Sequence, residues 1–226
     1  MGLSSKLRSI ADSDAPGSLG NRNRSRRFDA FERLFEEVAA GLSRPVKILD
    51  VGGTNSFWQQ RGWTGRDDVV ITTGNLDEEE KVFDNVEPRV LDATDMKEFD
   101  DGSFDIVFSN SVIEHLRTLD AQARMAAEVR RLGGAYWVQT PNFWFPIEPH
   151  FLTPGWQWLP VSVRVQLLRR RRWGWRGPCP DPVDARTLVE EIRLLKKNEM
   201  RALFPDAELV EERFGGLLKS FVAVRS

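Results

Sequence analysis

Six residues, Val46-Lys47-Ile48-Leu49-Asp50-Val51, run without interruption into Gly52-Gly53. An apolar stretch of this length that ends in paired glycines reads as a buried strand turning sharply into a helix. Four further apolar runs follow, at 68–72, 89–91, 104–108 and 135–139. The gaps between them are long enough for crossover helices, and such alternation calls for a parallel sheet covered on both faces. The last two runs, 208–214 and 217–224, are separated only by Gly215-Gly216, a link so short that it demands an antiparallel hairpin.

Upstream, residues 1–27 are polar, rich in Ser, Asn and Arg, and without periodicity, which predicts a flexible arm. Phe28, Phe31, Leu34, Phe35 and Val38 then recur at helical spacing, predicting an amphipathic helix that stops near Gly41. Residues 28–226 form one domain in this reading, and 141–200 form an insert that holds five of the eight tryptophans. Within it, 186–203 reads as one helix ending before Pro205.

The 226 residues carry 32 basic and 34 acidic side chains, a formal charge of -2, so no global attraction to nucleic acid is implied. A single cysteine, Cys179, excludes an internal disulfide and a multi-cysteine zinc site. No run approaches the roughly 20 apolar residues that span a bilayer, and no secretory signal is expected at the N-terminus. The expected location is cytoplasmic, with peripheral membrane contact through 156–176.

Four segments together carry a family resemblance. VKILDVGGTNSFW resembles the first motif of class I S-adenosylmethionine-dependent methyltransferases, and VLDATDM their adenine-contacting segment. FDIVFSNSVIEHL resembles their fourth motif, and EVRRLGGAYWVQTPN their fifth strand with its flanks. The resemblance covers roughly residues 45–142. It implies an α/β fold, a doubly wound, seven-stranded, mostly parallel sheet closed by the C-terminal hairpin. It implies S-adenosyl-L-methionine as cofactor, with its amino-acid end against Asp50, Gly52, Gly53 and Thr54. Thr54-Asn55-Ser56 stands where the family has a third glycine.

By the same resemblance an acid after the second strand holds the ribose. Here Asn75, with Leu76 beside it, is the first choice, because an amide both donates to and accepts from a diol. Asp77 is the alternative, unless it caps a helix. Asp92 or the Ala93 backbone would read the adenine, and Asn110 and Ser111 would face the methionine end. Glu114-His115 resembles part of a metal set in quinone-biosynthesis O-methyltransferases. An acid three positions earlier is replaced by Ser111, so no metal site is expected.

The segment after the fifth strand, from Pro141 to His150, holds three prolines and three aromatic residues with two polar exceptions, Glu148 and His150. An imidazole can take a proton from a hydroxyl acceptor, so His150 is the candidate base and Glu148 its orienting partner; the other reading is a buttress for a rigid loop. Trp156, Trp158, Leu159 and the valines and leucines of 161–168 suggest a lid over a small or lipid-like acceptor. The run from Arg169 to Arg172 beside Trp173 and Trp175 fits a solvated face or a lipid headgroup surface, and nucleic acid is the least favoured partner. Two other classes stay open, a dinucleotide-dependent enzyme and a non-catalytic binding or membrane-docking module.

Overall fold

The computed structural model describes residues 19–226, with side chains from residue 27 onward. The first helix, α1 (Leu19–Ala39), starts earlier than the apolar stripe suggests. Residues 19–27, expected as the end of the arm, are its opening turns, while residues 1–18 of that arm lie outside the described residues. A helix nucleated on a packed apolar face extends into polar neighbours at little cost, which periodicity does not register. That face presents Phe28, Phe31, Leu34 and Phe35, all buried.

The sheet elements are β1 (Val46–Val51), β2 (Val69–Asn75), β3 (Val86–Val90), β4 (Phe104–Asn110) and β5 (Gly133–Pro141). A short ribbon, β6 (Ile147–Glu148) with β7 (Thr153–Pro154), precedes the C-terminal hairpin of β8 (Glu208–Phe214) and β9 (Leu217–Arg225). The seven long strands lie in the order β3-β2-β1-β4-β5-β9-β8. The first five are mutually parallel, and β9 pairs antiparallel with both β5 and β8. Gly215 and Gly216 turn the hairpin with φ of +57° and +81°, the left-handed geometry of a two-residue connection.

The remaining helices are α2 (Asn55–Gln60), α3 (Leu119–Leu132), α4 (Val161–Arg170), α5 (Pro182–Glu190) and α6 (Lys197–Leu203). One face of the sheet packs against α3 and α6 through Met125, Val129, Leu132 and Met200. The other packs against α1 and α2, where Phe31 meets Phe108 edge-on at 4.7 Å and Trp58 and Trp63 are fully buried. A third apolar cluster lies inside the insert, where Phe151 and Trp156 stack at 4.3 Å and Val165 and Leu168 of α4 meet Ala185 and Val189 of α5.

Two expected helices take other forms. The link between β2 and β3, residues 76–85, contains no helix, so Asp77 caps none. Side-chain anchors hold it instead: the Asn85 amide donates to Trp63 O (2.9 Å), and the Asn55 amide donates to Glu80 O (2.9 Å). The helix expected over 186–203 breaks between α5 and α6. There Arg193 N donates to Glu114 O (2.7 Å), and Leu195 O accepts from Phe143 N (3.0 Å). The chain gives up helical bonds to supply backbone partners to the exits of β4 and β5, while Leu194 and Leu195 become buried. Apolar periodicity runs through this break unchanged.

Candidate functional site

The chain goes from β1 outward through β2 to β3, then returns to place β4 on the other side of β1. Open α/β sheets bind ligands at such a reversal, beyond the carboxyl ends of the strands. A cavity of about 230 Å³ lies there, floored by Asp50, Gly52, Gly53 and Thr54 and walled by Phe108 and Asn110 of β4.

The two glycines are required by the local geometry. Gly52 adopts φ +79°, and a Cβ on it would meet Val112 Cγ2 at 2.4 Å. A Cβ on Gly53 would meet Asp50 Oδ2 at 1.9 Å. Gly52 N donates to Gly74 O (2.7 Å), and the Asn75 amide donates to Gly53 O, so both arms of the turn are tied to β2. Thr54 caps α2, its hydroxyl accepting from Phe57 N (3.3 Å).

Asp50 is the buried charge of this turn, with Trp58 Nε1 donating to its Oδ2 (2.8 Å). Burial pushes its carboxyl up to about 7, against the Trp58 bond and with help from Glu79. A buried acid held near neutrality in a cleft is a candidate functional group.

The remaining expected binding residues lie at or just after the carboxyl ends of β2, β3 and β4, each in its own setting. The amide nitrogen of Asn75 is committed to the glycine turn, leaving Oδ1 for another partner. Leu76 is exposed, and Asp92 is exposed with Oδ1 accepting from Thr94 N (2.8 Å) and Thr94 Oγ1 (2.9 Å). Ala93 packs partly on the core. None of these three lines the 230 Å³ cavity. Ser111 adopts φ +61°, and its hydroxyl donates to Gln139 Oε1 (2.8 Å).

Asn110 brings in a residue that the sequence does not flag. Arg27 of α1 donates from Nη1 to Asn110 Oδ1 (2.7 Å), while its Nε and Nη2 each donate to Glu212 of β8 at 2.8 Å. Arg27 lies in a polar stretch, and its partners are far away along the chain, so no local pattern could have revealed it.

A second constellation forms where β4 and β5 end and the ribbon begins. Glu148 is buried; its Oε2 accepts from Phe151 N (2.6 Å), and its Oε1 lies 2.7 Å from His150 Nδ1. With the carboxylate accepting, the neutral ring carries its proton on Nδ1 and keeps the Nε2 lone pair. Burial lowers the basicity of His150, but Glu148 and then Glu114 outweigh it, and the net shift is upward. The pair expected from sequence is therefore assembled, although His150 lines neither this cavity nor the next.

That next cavity, about 250 Å³, opens beside Glu148 between Phe143, Trp156, Arg164 and Lys196. Arg164 Nε is buried without a partner among the described residues.

Glu114 and His115 join the pair. Thr140 Oγ1 donates to Glu114 Oε2 (3.0 Å), and burial pushes the Glu114 carboxyl up to about 7. The His115 and His150 rings meet edge to face at 5.0 Å. His115 is lowered by burial first and by His150 second.

A family model described as "Methyltransferase domain" matches residues 67–138. Two uncharacterized proteins of Mycobacterium tuberculosis, from strains CDC 1551 / Oshkosh and ATCC 25618 / H37Rv, are each 39% identical over 74 residues, 33% of this chain. The match spans 25% of the length of those relatives. Solved structures with similarity include a SAM-dependent methyltransferase from Aquifex aeolicus: 18% identity, 99% of this chain, 98% of that one, TM-score 0.49. Another is the magnesium protoporphyrin IX methyltransferase from Synechocystis with bound SAH: 11% identity, 98% and 94% coverage, TM-score 0.49.

Proposed function

From the premise that this chain carries a methyltransferase domain of the class I S-adenosylmethionine-dependent type, we propose that it methylates an oxygen of a small or lipid-like acceptor. The observation that carries the reading is the Gly52-Gly53 turn over a buried Asp50 at the reversal of strand order. That turn suits the cofactor. Its backbone lies bare where a Cβ would clash, and the buried acid has no cationic partner among the described residues, which complements the ammonium of a bound amino acid.

S-adenosylmethionine, when bound, supplies a methyl carbon made electrophilic by a sulfonium. What remains for the protein is placement, which can lower a barrier by roughly 7–11 kcal/mol. Gly52, Gly53 and Asp50 hold one end of the cofactor, and Asn110, fixed by Arg27, walls the crevice. Glu148 keeps the His150 proton on Nδ1, so that Nε2 is free to accept the proton of an acceptor hydroxyl. The 250 Å³ cavity beside Glu148 offers Phe143, Phe151 and Trp156 to the apolar part of an acceptor, and Arg164, Arg193 and Lys196 to a polar or anionic part.

Trp144, Trp158 and Trp175 are exposed, as are Arg170, Arg171 and Arg172. Rings at headgroup depth with guanidinium groups near phosphates support peripheral contact with a membrane that would deliver such an acceptor. Among the described residues no helix is long and apolar enough to cross a membrane.

The deciding experiment is calorimetry of the full chain with S-adenosylhomocysteine, followed by transfer of tritiated methyl label into a cell extract. No uptake of that nucleotide removes the reading, and uptake of NAD instead favours a dinucleotide enzyme. Binding without any labelled product favours a non-catalytic module.

A further inference from the structure

The cluster at the exits of β4 and β5 has one atom that no hydrogen bond explains. Glu114 Oε1 is buried and has no partner among the described residues, while Oε2 of the same carboxylate is held by Thr140. A bare buried carboxylate oxygen is costly unless something positive faces it.

Two imidazoles lie in the same cluster, and each has a carboxylate near its Nδ1. Glu148 Oε1 lies 2.7 Å from His150 Nδ1, and Glu191 Oε1 lies 3.5 Å from His115 Nδ1. A carboxylate on one ring nitrogen orients the ring and turns the other nitrogen into an available lone pair, which is how metal-ligating histidines are usually supported. Here the Glu148–His150 contact is a hydrogen bond, while Glu191 Oε1 stands at ion-pair distance from His115 and also accepts from Arg176 Nη2 (3.2 Å). One ligand atom each from Glu114, His115 and His150 can be chosen so that all three lie within 4.8 Å of one another.

We propose that Glu114, His115 and His150 bind a divalent transition-metal cation of the Zn²⁺ kind, through two imidazole nitrogens and one carboxylate oxygen. The donor set selects the ion. Two nitrogens and one oxygen suit Zn²⁺ and its neighbours, whereas Mg²⁺ and Ca²⁺ require oxygen-rich shells of six or more ligands. At metal–ligand distances of about 2.1 Å, tetrahedral ligand atoms lie roughly 3.4 Å apart, so ring rotation must draw the set inward by about an ångström. Three protein ligands leave the fourth position open to water or to an acceptor oxygen. The sequence pattern hides this set, because Ser111 stands where the resembling metal set has an acid and the third ligand comes from the insert instead.

Cation binding stands whether or not the chain transfers methyl groups. His150 Nε2 can hold either the cation or the acceptor's proton, so its role as proton acceptor in methyl transfer belongs to the cation-free protein.

The test is calorimetric titration of chelator-treated full chain with Zn²⁺, in parallel with Co²⁺ followed by its visible absorption. Expected is one cation per chain with a four-coordinate cobalt spectrum, weakened more than about 100-fold in His115→Asn and His150→Asn and about 10–100-fold in Glu148→Gln. Cys179→Ser, outside the cluster, binds as the parent does. Retained S-adenosylhomocysteine binding in the variants shows that they fold. If that ligand binds to no version of the protein while Zn²⁺ binds as stated, the methyl-transfer reading falls and the cation site remains. Absence of Zn²⁺ binding, binding in either histidine variant equal to that of the parent, or uptake of Mg²⁺ alone overturns the proposal.

Discussion

The α-carbon of Gly53 lies so close to the Asp50 carboxylate that a Cβ would come within 1.9 Å of Oδ2, against the backbone arm that the Asn75 amide ties down. Acid and glycine are one structural unit: the carboxylate can fill the turn only because the glycine has no side chain.

Gly53→Ala is therefore expected to abolish S-adenosylhomocysteine binding and to lower the melting temperature. Moving Asp50 aside costs about 1–3 kcal/mol, the usual penalty for overpacking, or roughly 2–10 °C in a chain of this size. Calorimetry and thermal denaturation of the variant check both outcomes.

Asp50 predicts a pH dependence of defined sign. Its folded-state pKa is raised to about 7, so its contribution to stability is complete below the ordinary carboxylate range and is lost as pH rises through 7. Asp50→Asn keeps an acceptor for the Trp58 indole and cannot ionise. It should melt roughly 5 °C higher than the parent at pH 8 and no higher at pH 4. Its affinity for S-adenosylhomocysteine should fall about tenfold or more, since a charge-assisted contact is removed. A melting difference that does not change with pH would show that the acid stays ionised in the fold.

His150→Asn should lower the rate of label transfer by about 10²–10⁴-fold, the range for loss of a positioned proton acceptor, with the affinity for S-adenosylhomocysteine unchanged. Glu148→Gln should act in the same direction by a smaller factor and shift the pH profile, because it acts through the histidine. Loss of cofactor affinity in either variant would move the pair out of this role.

Arg27→Ala should weaken S-adenosylhomocysteine binding by freeing Asn110, and should destabilise the fold by about 1.5–3 kcal/mol through the half-buried Glu212 pair. A double-mutant cycle with Glu212→Gln measures the coupling. Additive losses would mean that the two residues act separately.

For the membrane surface, alanine at Arg169 to Arg172 should reduce co-sedimentation with vesicles containing anionic lipid, each removed charge contributing about 1 kcal/mol. Equal recovery of parent and variant would remove lipid contact from the proposal.

What the sequence discloses about this fold is governed by how local the determinants are. The strands and the hairpin follow from apolar runs and from Gly215-Gly216, since period and turn length act over a few residues. The glycine turn and the Glu148–His150 pair are legible for the same reason. The helix missing from 76–85 and the break at 191–196 are set by Asn85, by Arg193 N on Glu114 O and by Leu195 O on Phe143, contacts made across the fold. Arg27 and Glu191 escape notice because their meaning lies in residues that only packing brings near.

The grip of Arg27 on both Asn110 and Glu212 also bears on how the chain is made. Arg27 precedes Glu212 by 185 positions, so during synthesis it leaves the ribosome long before its partner exists. The mouth of the crevice thus acquires its finished shape only after the last hairpin has paired with β5. A chain that has completed only its first five strands lacks the second anchor of this wall, which residues from opposite ends of the sequence supply together.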